Sequence, residues 1–320
     1  MQQDDKILQR VIKVDLSTRI CGKKFKNPFV LASGLLGNDE KILKRVADLQ
    51  AGAVVSKSCG LKPKVGNENP TVLAWEHGLI NAVGLTNPGY AEETKKLKKL
   101  KKLLLGNDTK IIASIFGPTI KDIAKIAKGI SNARPDFIEL NISCPHADLS
   151  VKGNFYSHPE ALNKLVKAVK KATKIPIIVK LSPNVTDIAQ IAKAAQDGGA
   201  DALAAINTVM AMLIDAESGK PILSNKIGGL SGPAIRPIAL RCVFQIYQSV
   251  KIPIIGMGGI TTGKDAIEMI MAGASAVGIG SGLYYRGLNI FKKVLREMKE
   301  FMQKNNYRSI NDFKGIAHEN

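Results

Sequence analysis

Short apolar runs alternate with amphipathic segments along almost the whole chain. The runs are continuous rather than alternately apolar and polar, which is typical of strands in a parallel sheet that is covered by helices. The predicted strands are 29–33, 53–58, 110–116, 137–143, 175–182, 202–208, 252–258 and 276–281. The predicted helices are roughly 39–50, 90–105, 119–131, 159–173, 186–197, 234–250, 263–273 and 289–304.

About eight strand–helix units in one chain predict an α/β fold, a (β/α)8 TIM barrel whose extended βα loops form the mouth of an active site. The alternative is an open doubly wound sheet, which is weakened because no GxGxxG follows the first strand. Two stretches rich in Gly, Pro and Asn, 59–89 and 209–233, exceed what a simple connection needs and lie on the βα side. No linker or domain boundary is visible, so we expect a single domain over residues 1–320.

The bulk composition is that of an ordinary globular protein, with 45% hydrophobic and 23% charged residues among 320. No apolar run is long enough to cross a membrane, and the N-terminus lacks the apolar core of a signal peptide, so we expect a cytoplasmic protein. The formal net charge of +19 comes largely from Lys in helix-like segments such as 95–102 and 164–174, where the Lys side chains would lie on the solvated face. Because aromatic residues are only 5% and no nucleic-acid-binding motif is visible, we expect no nucleic-acid partner and a preference for small anionic ligands.

The four cysteines are scattered, without a CxxC pair or a His-rich segment. We therefore expect free thiols and no metal or iron–sulfur site built by this chain alone.

The nonapeptide FIELNISCP at 137–145 predicts a strand that delivers Asn141, Ser143 and Cys144 to its carboxyl end. An amide, a hydroxyl and a thiol at one strand end suit a site that hydrogen-bonds a polar ring and moves a proton. The alternative is that Cys144 is a small core residue.

Polar residues also lie at or near the carboxyl ends of other predicted strands, namely Ser33, Lys57-Ser58, Lys180 and Asn207-Thr208. A lone Lys in the apolar run IPIIVKLS is costly to bury without an anionic partner, so Lys180 indicates an anion in the barrel. The alternative is that the side chain extends out of the barrel to solvent.

Glycines follow the last two predicted strands, in IPIIGMGGI and AVGIGSG. Glycines in these two loops of a barrel allow main-chain N–H groups to converge on a phosphate, although they could merely form tight turns. No GxxxxGK[ST] motif is present, so kinase or ATPase chemistry has no support. Three features together favour a flavin site over a hydrolase: the expected phosphate-binding loops, a buried Lys, and a thiol beside amides.

Longer motifs at these positions resemble one family, the dihydroorotate dehydrogenases, and most closely their class 1B catalytic subunits. The resemblance covers nearly the whole chain. The motifs that carry it are SKSCGLKPKVGNENP (56–70), INAVGLTNPG (80–89), LNISCP (140–145), VKLSPN (179–184), INTVMAMLID (206–215), GGLSGPAIRPIAL (228–240) and GMGGI (256–260).

The resemblance implies oxidation of dihydroorotate to orotate in UMP biosynthesis, with FMN bound in the barrel mouth. Hydride would pass from C6 of the substrate to N5 of the flavin, while Cys144 acts as the base that removes the C5 proton. It also implies a homodimer and an electron-transfer subunit that carries an iron–sulfur cluster and FAD and reduces NAD.

The family's site residues carry over onto matching positions of this chain. Those expected to bind the substrate are Lys57, Asn81, Ala82, Val83, Gly84, Leu85, Asn141, Asn207 and Thr208. Those expected to bind FMN are Ser33, Lys57, Ser58, Ser114, Asn141, Lys180, Ile206, Gly232, Gly258, Gly259, Gly280 and Ser281.

The chain departs from the family pattern at two places that bear on substrate choice. His146 stands where the family usually has Asn after Cys-Pro, and the loop 147–160 lacks the usual glycine-rich pattern. Ser114 stands where related chains often have a flavin-contacting Asn. Two alternatives therefore stay open: a flavin barrel that acts on another dihydropyrimidine, of the dihydrouracil type, and a non-redox phosphate-binding barrel in which Lys180 forms a Schiff base.

Overall fold

The computed structural model describes residues 13–142 and 155–319 of the chain. Its strands are two to six residues long. In chain order they are β1 (Thr18–Ile20), β2 (Lys23–Phe25), β3 (Phe29–Leu31), β4 (Ala53–Val55), β5 (Val72–Trp75), β6 (Gly78–Asn81), β7 (Lys110–Ile115), β8 (Phe137–Asn141), β9 (Ile177–Leu181), β10 (Ala202–Ala205), β11 (Val209–Ala211), β12 (Ile214–Asp215), β13 (Lys220–Pro221), β14 (Gly228–Ser231), β15 (Ile254–Met257) and β16 (Ala276–Ile279).

Eight of these strands close into a barrel in the order β3–β4–β7–β8–β9–β10–β15–β16, and every pairing is parallel. The pairing of Val277 on β16 with Phe29 on β3 closes the ring. The predicted TIM barrel is confirmed, and each predicted strand is present but shorter at one or both ends. Those of the trimmed residues that the structure describes lie in the loops at either end of the barrel, where the ladder of hydrogen bonds stops and sequence pattern alone does not mark the boundary.

The helices follow the barrel strands in sequence and surround the barrel. They are α1 (Glu40–Asp48), α2 (Tyr90–Leu103), α3 (Ile120–Ile130), α4 (Pro159–Ala172), α5 (Ile188–Asp197), α6 (Arg236–Ser249), α7 (Gly263–Met271), α8 (Gly282–Arg286) and α9 (Ile290–Lys304). Side-chain caps fix several of their starts: the Asp39 carboxylate accepts from the main-chain N–H of Lys41 and Ile42. Thr262 and Asp265 form a capping box at the start of α7. The short α8 had not been predicted.

Side chains of alternate barrel residues point inward and fill the lower part of the barrel. Val30, Val55, Ile112 and Ile178 belong to this inner cluster. The hairpin β1–β2 adds Ile20 and Phe25 to the same cluster, and the ring of Phe25 lies 5.7 Å from the ring of Phe137 at the start of β8. The amino-terminal end of the barrel is therefore plugged by apolar side chains, so the carboxyl end is the one available for a site.

The two long βα stretches contain regular secondary structure that was not predicted from the sequence. They contribute a four-stranded antiparallel sheet in the order β11–β14–β6–β5, in which β6 of the first stretch pairs with β14 of the second. These strands are short, and β14 contains two glycines, so their own pattern is weak and their stability comes from pairing with each other.

No helix among residues 13–142 and 155–319 is long and apolar enough to cross a membrane. That the whole chain forms one domain stays a prediction.

Candidate functional site

Polar side chains replace apolar ones inside the barrel where the strands approach their carboxyl ends. On β8 the inward positions run from Phe137 through Glu139 to Asn141, and on β9 Lys180 follows Ile178. Asn141 pairs in register with Lys180, and Ser114 on β7 pairs with Glu139. The strand register thus brings four polar residues, distant in sequence, to one end of the barrel.

Two lysines at this end are buried. Lys57 is 7% exposed and Lys180 is 5% exposed. Both side chains reach toward the loop after β3: the Lys57 ammonium lies 3.5 Å from the carbonyl oxygen of Gly34, and the Lys180 ammonium lies 3.4 Å from the Ser33 hydroxyl. Within the described part of the chain, neither ammonium has a carboxylate within 4 Å. Burial lowers the pKa of Lys57 below its ordinary value.

Buried cations without carboxylate partners carry a desolvation cost that a bound anion would offset. These two lysines are therefore suited to bind anionic or electron-rich ligand groups at the barrel mouth.

Next to the lysines, five polar side chains form one continuous chain of hydrogen bonds. The Asn207 amide donates to the Asn141 Oδ1 over 3.4 Å, and the Asn141 amide donates to the Ser58 hydroxyl over 3.1 Å. Ser58 lies 2.8 Å from Ser114, whose hydroxyl donates to a Glu139 carboxylate oxygen over 2.8 Å. Four of these residues were predicted site residues, and the structure brings them together.

Glu139 was missed by the sequence reasoning. The available signal was its place in FIELN, two residues from Phe137 and two from Asn141, because a strand sends every second side chain to the same face.

The predicted segment 81–85 begins at Asn81, the last residue of β6 in the antiparallel sheet. The Asn81 amide donates to the carbonyl oxygen of Gly229 on β14, over 3.2 Å. Gly229 in turn packs so closely against Thr208 that an added Cβ would overlap the Thr208 side chain. Through Gly229, Asn81 is thereby linked to Thr208, which follows Asn207 at one end of the chain of hydrogen bonds.

The rest of this segment turns sharply. Gly84 and Leu85 both have positive φ, of 77° and 57°. Two asparagines hold the turn: the Asn67 amide donates to the Ala82 carbonyl oxygen and the Asn87 amide donates to the Leu85 carbonyl oxygen, each over 2.8 Å. Val83 is also held in place, because its carbonyl oxygen accepts a hydrogen bond from the main-chain N–H of Asn67.

The glycines after β15, Gly258 and Gly259, pack against α6 and against Gly232, which precedes that helix. Gly258 and Gly259 have φ of 137° and 73°, which favour glycine. A Cβ on Gly258 would lie 2.6 Å from the Cβ of Ala239 and 3.5 Å from Ile206, and one on Gly259 would lie 2.9 Å from the carbonyl oxygen of Gly232. The structure therefore brings together Ile206, Gly232, Gly258 and Gly259.

Gly280 and Ser281 follow β16 on the neighbouring side of the barrel. A Cβ at Gly280 would make only ordinary contacts, 3.5 Å from Leu35 and 3.7 Å from Ala32. Gly280 thus borders the same loop after β3 that Lys57 and Lys180 reach. The described residues contain no group of three or more His, Cys, Asp or Glu side chains that could hold a metal ion.

Cys144 lies outside the described residues, as do Ser143 and His146. In sequence Cys144 follows Asn141, the last residue of β8, by three positions.

The chemistry of these groups fits a flavin cofactor that carries a phosphate. Positive-φ glycines let main chain approach a phosphate closely, and the amides, hydroxyls and ammonium groups match the carbonyl, N–H and hydroxyl groups of the isoalloxazine and ribityl parts.

Comparison with known proteins agrees with this chemistry. A family model described as dihydroorotate dehydrogenase matches residues 15–302. The chain is similar to proteins named dihydroorotate dehydrogenase B (NAD(+)), catalytic subunit, from three archaea. It is 49% identical to the one from Methanocaldococcus jannaschii (95% of this chain and 98% of the relative), 45% identical to the one from Methanosarcina mazei (94% of both) and 44% identical to the one from Pyrococcus abyssi (94% and 99%).

Near Ser56 lies a buried carboxyl group, that of Glu93 on α2. Glu93 is 1% exposed, and its Oε2 has no hydrogen-bond partner among the described residues. Burial raises its pKa from 4.5 to about 7; Lys96 and a hydrogen bond with Ser56 oppose this shift, whereas Glu40 and Glu92 add to it. The charged form of Glu93 is therefore poorly accommodated by the fold.

We expect Glu93→Gln to stabilise the protein at pH 8 and to change little at pH 4. Because the folded pKa of Glu93 lies above 4.5, the stability that its protonated form supports is complete below that pH and is lost as the pH rises through about 7. The difference in the free energy of unfolding should therefore grow over this range, to the order of 1–3 kcal/mol. Urea unfolding at a series of pH values measures it.

The matched control is Glu92→Gln, which removes an exposed carboxylate one position earlier on the same helix and should show no such rise. An equal stabilisation by Glu93→Gln at every pH would contradict the shifted pKa.

Proposed function

We propose, because this chain belongs to the dihydroorotate dehydrogenase family, that it oxidises dihydroorotate to orotate in pyrimidine biosynthesis with FMN as its cofactor. The observation that carries the proposal is the pair of buried ammonium groups, Lys57 and Lys180, beside a chain of amides and hydroxyls at the barrel mouth. Dihydroorotate offers the matching groups, a carboxylate and a ring of carbonyl and N–H groups. The aldolase-like alternative, with Lys180 as a Schiff-base residue, does not fit this family.

FMN would supply the redox chemistry, since it accepts a hydride. Main-chain groups of Gly258, Gly259, Gly280 and Ser281 would hold its phosphate. The residues that would line its ring and ribityl chain are Ser33, Lys57, Ser58, Ser114, Asn141, Lys180, Ile206 and Gly232. Lys180 would place a positive charge where negative charge develops on the cofactor.

Lys57 would bind the substrate carboxylate and orient the ring. Asn141, Asn207 and Thr208 would hydrogen-bond the pyrimidine from the barrel side, and the segment 81–85 from the sheet above it. Because Asn67 and Asn87 fix the turn of that segment, its contact groups are held in place before the substrate arrives.

Cys144 would act as the base that takes the C5 proton. A thiol loses its proton far more readily than a hydroxyl, and an ammonium group beside the thiol, for which Lys57 is our candidate, would favour the thiolate.

A partner subunit would complete the electron path. The relatives are named catalytic subunits of an NAD(+) enzyme. We propose that this chain forms a homodimer and passes electrons to a second subunit with an iron–sulfur cluster and FAD, which reduces NAD.

Cys144→Ser should keep FMN bound but slow the bleaching of the flavin by dihydroorotate at least about 100-fold, the usual contribution of general-base catalysis. Anaerobic stopped-flow absorbance measures the rate, and the yellow colour of the purified variant reports the bound cofactor. Cys21→Ser is the control, because Cys21 lies in the hairpin at the opposite end of the barrel, where its thiol donates to the carbonyl oxygen of Asp201. An unchanged rate in Cys144→Ser would remove Cys144 from the mechanism.

A tagged chain isolated from its native host should retain a second subunit that contains iron and FAD. The measurement is iron and flavin analysis of the purified complex, together with its NAD-linked activity. Recovery of a homo-oligomer alone, fully active with a soluble acceptor, would contradict the proposed partner.

A further inference from the structure

Glu139 is a buried carboxyl group inside the barrel, and the mechanism above gives it no role. It is 2% exposed and lies on β8 between the inward residues Phe137 and Asn141. A carboxyl group in such a place needs a hydrogen-bond donor to offset its loss of water. The Ser114 hydroxyl is that donor, at 2.8 Å.

The hydrogen that Ser114 gives to Glu139 sets the direction of the next two bonds. A hydroxyl has only one hydrogen, so Ser114 must accept from Ser58 rather than donate to it. Ser58 has then used its own hydrogen and accepts from the Asn141 amide nitrogen, at 3.1 Å. The carboxylate therefore determines which edge of the Asn141 amide faces Ser58.

At the far end of this chain of hydrogen bonds, the orientation of Asn207 agrees with that direction. The main-chain N–H of Thr208 can only donate, and it donates to the Asn207 Oδ1 over 2.8 Å. The Asn207 nitrogen accordingly faces Asn141, to whose Oδ1 it donates. A group that only donates stands at one end and a carboxylate that accepts stands at the other, so every bond between them runs toward Glu139.

We propose that Glu139 is a positioning residue that fixes the amide orientation of Asn141, as the main-chain N–H of Thr208 fixes that of Asn207, and thereby helps to set the pattern of donors and acceptors that the pocket presents to the pyrimidine ring. This inference rests on the proposed function, which places these two amides on the substrate. Without the acceptor at position 139, the two hydroxyls can reverse, and Ser58 then no longer requires the amide nitrogen of Asn141. An Asn141 amide that rotates by 180° exchanges the oxygen and the N–H that it presents to the ring.

The test is the affinity for orotate of the FMN-loaded protein, read from the change that orotate causes in the flavin absorbance. We expect Glu139→Leu and Ser114→Ala each to weaken orotate binding about tenfold, the size of one misdirected hydrogen bond. Because both changes interrupt the same chain, the double variant should bind no more weakly than either single variant. Glu139→Gln keeps an acceptor oxygen and should retain most of the affinity.

Two controls separate positioning from a general loss of structure. Ser275→Ala removes a buried hydroxyl that Lys314 contacts outside the chain of hydrogen bonds, and it should leave orotate affinity unchanged. The thermal midpoint of every variant is measured alongside. If Glu139→Leu does not fold, the comparison of Ser114→Ala with Glu139→Gln decides the question, since only the first interrupts the chain.

The positioning role would be overturned by any of three results. These are additive losses of orotate affinity in the double variant, an unchanged orotate affinity in Ser114→Ala, and an orotate affinity in Glu139→Gln as weak as that in Glu139→Leu. Failure of the unaltered protein to take up FMN or to bind orotate would instead overturn the proposed function.

Discussion

The burial of charged groups inside a closed barrel is the constraint on which the rest of the site depends. Lys57, Lys180 and Glu139 are all nearly inaccessible to solvent at the same end of the barrel, and within the described residues neither lysine pairs with a carboxylate. Glu139 is stabilised by a chain of hydroxyls and amides. Among the described residues, the lysines have only weak contacts to oxygen atoms of one loop, so a bound anionic ligand would offset part of the cost of their burial.

The overall charge of the protein favours the same class of ligand. The chain has 46 Lys and Arg against 27 Asp and Glu. A positive field steers small anions toward a cleft. The proposed ligands, FMN and dihydroorotate, are both anions, and the barrel mouth contains two buried lysines that pair with no carboxylate among the described residues. The fold supplies the position through parallel strands that end together, and the antiparallel sheet above adds contact groups from two distant loops.

Local sequence pattern was sufficient to predict the barrel and the polar residues at the ends of its strands, whereas the segment 81–85 was indicated only by the family resemblance. Continuous apolar runs marked the strands, and polar residues at their ends marked Lys57, Asn141, Lys180 and Asn207. The antiparallel sheet was missed because strands such as Gly228–Ser231 have little pattern of their own and depend on pairing across about 150 residues. Glu139 was missed because its partner Ser114 lies 25 positions away and only strand register brings them together.

The most direct test is to mix the purified yellow protein anaerobically with dihydroorotate and, separately, with dihydrouracil, while the flavin absorbance is followed. Dihydrouracil has the same ring without the carboxylate, so a site organised around Lys57 should be bleached rapidly by dihydroorotate alone. Bleaching by dihydrouracil alone would contradict the proposed substrate. It would indicate that the residues in which this chain departs from its family, His146 among them, have changed the ligand that the pocket selects.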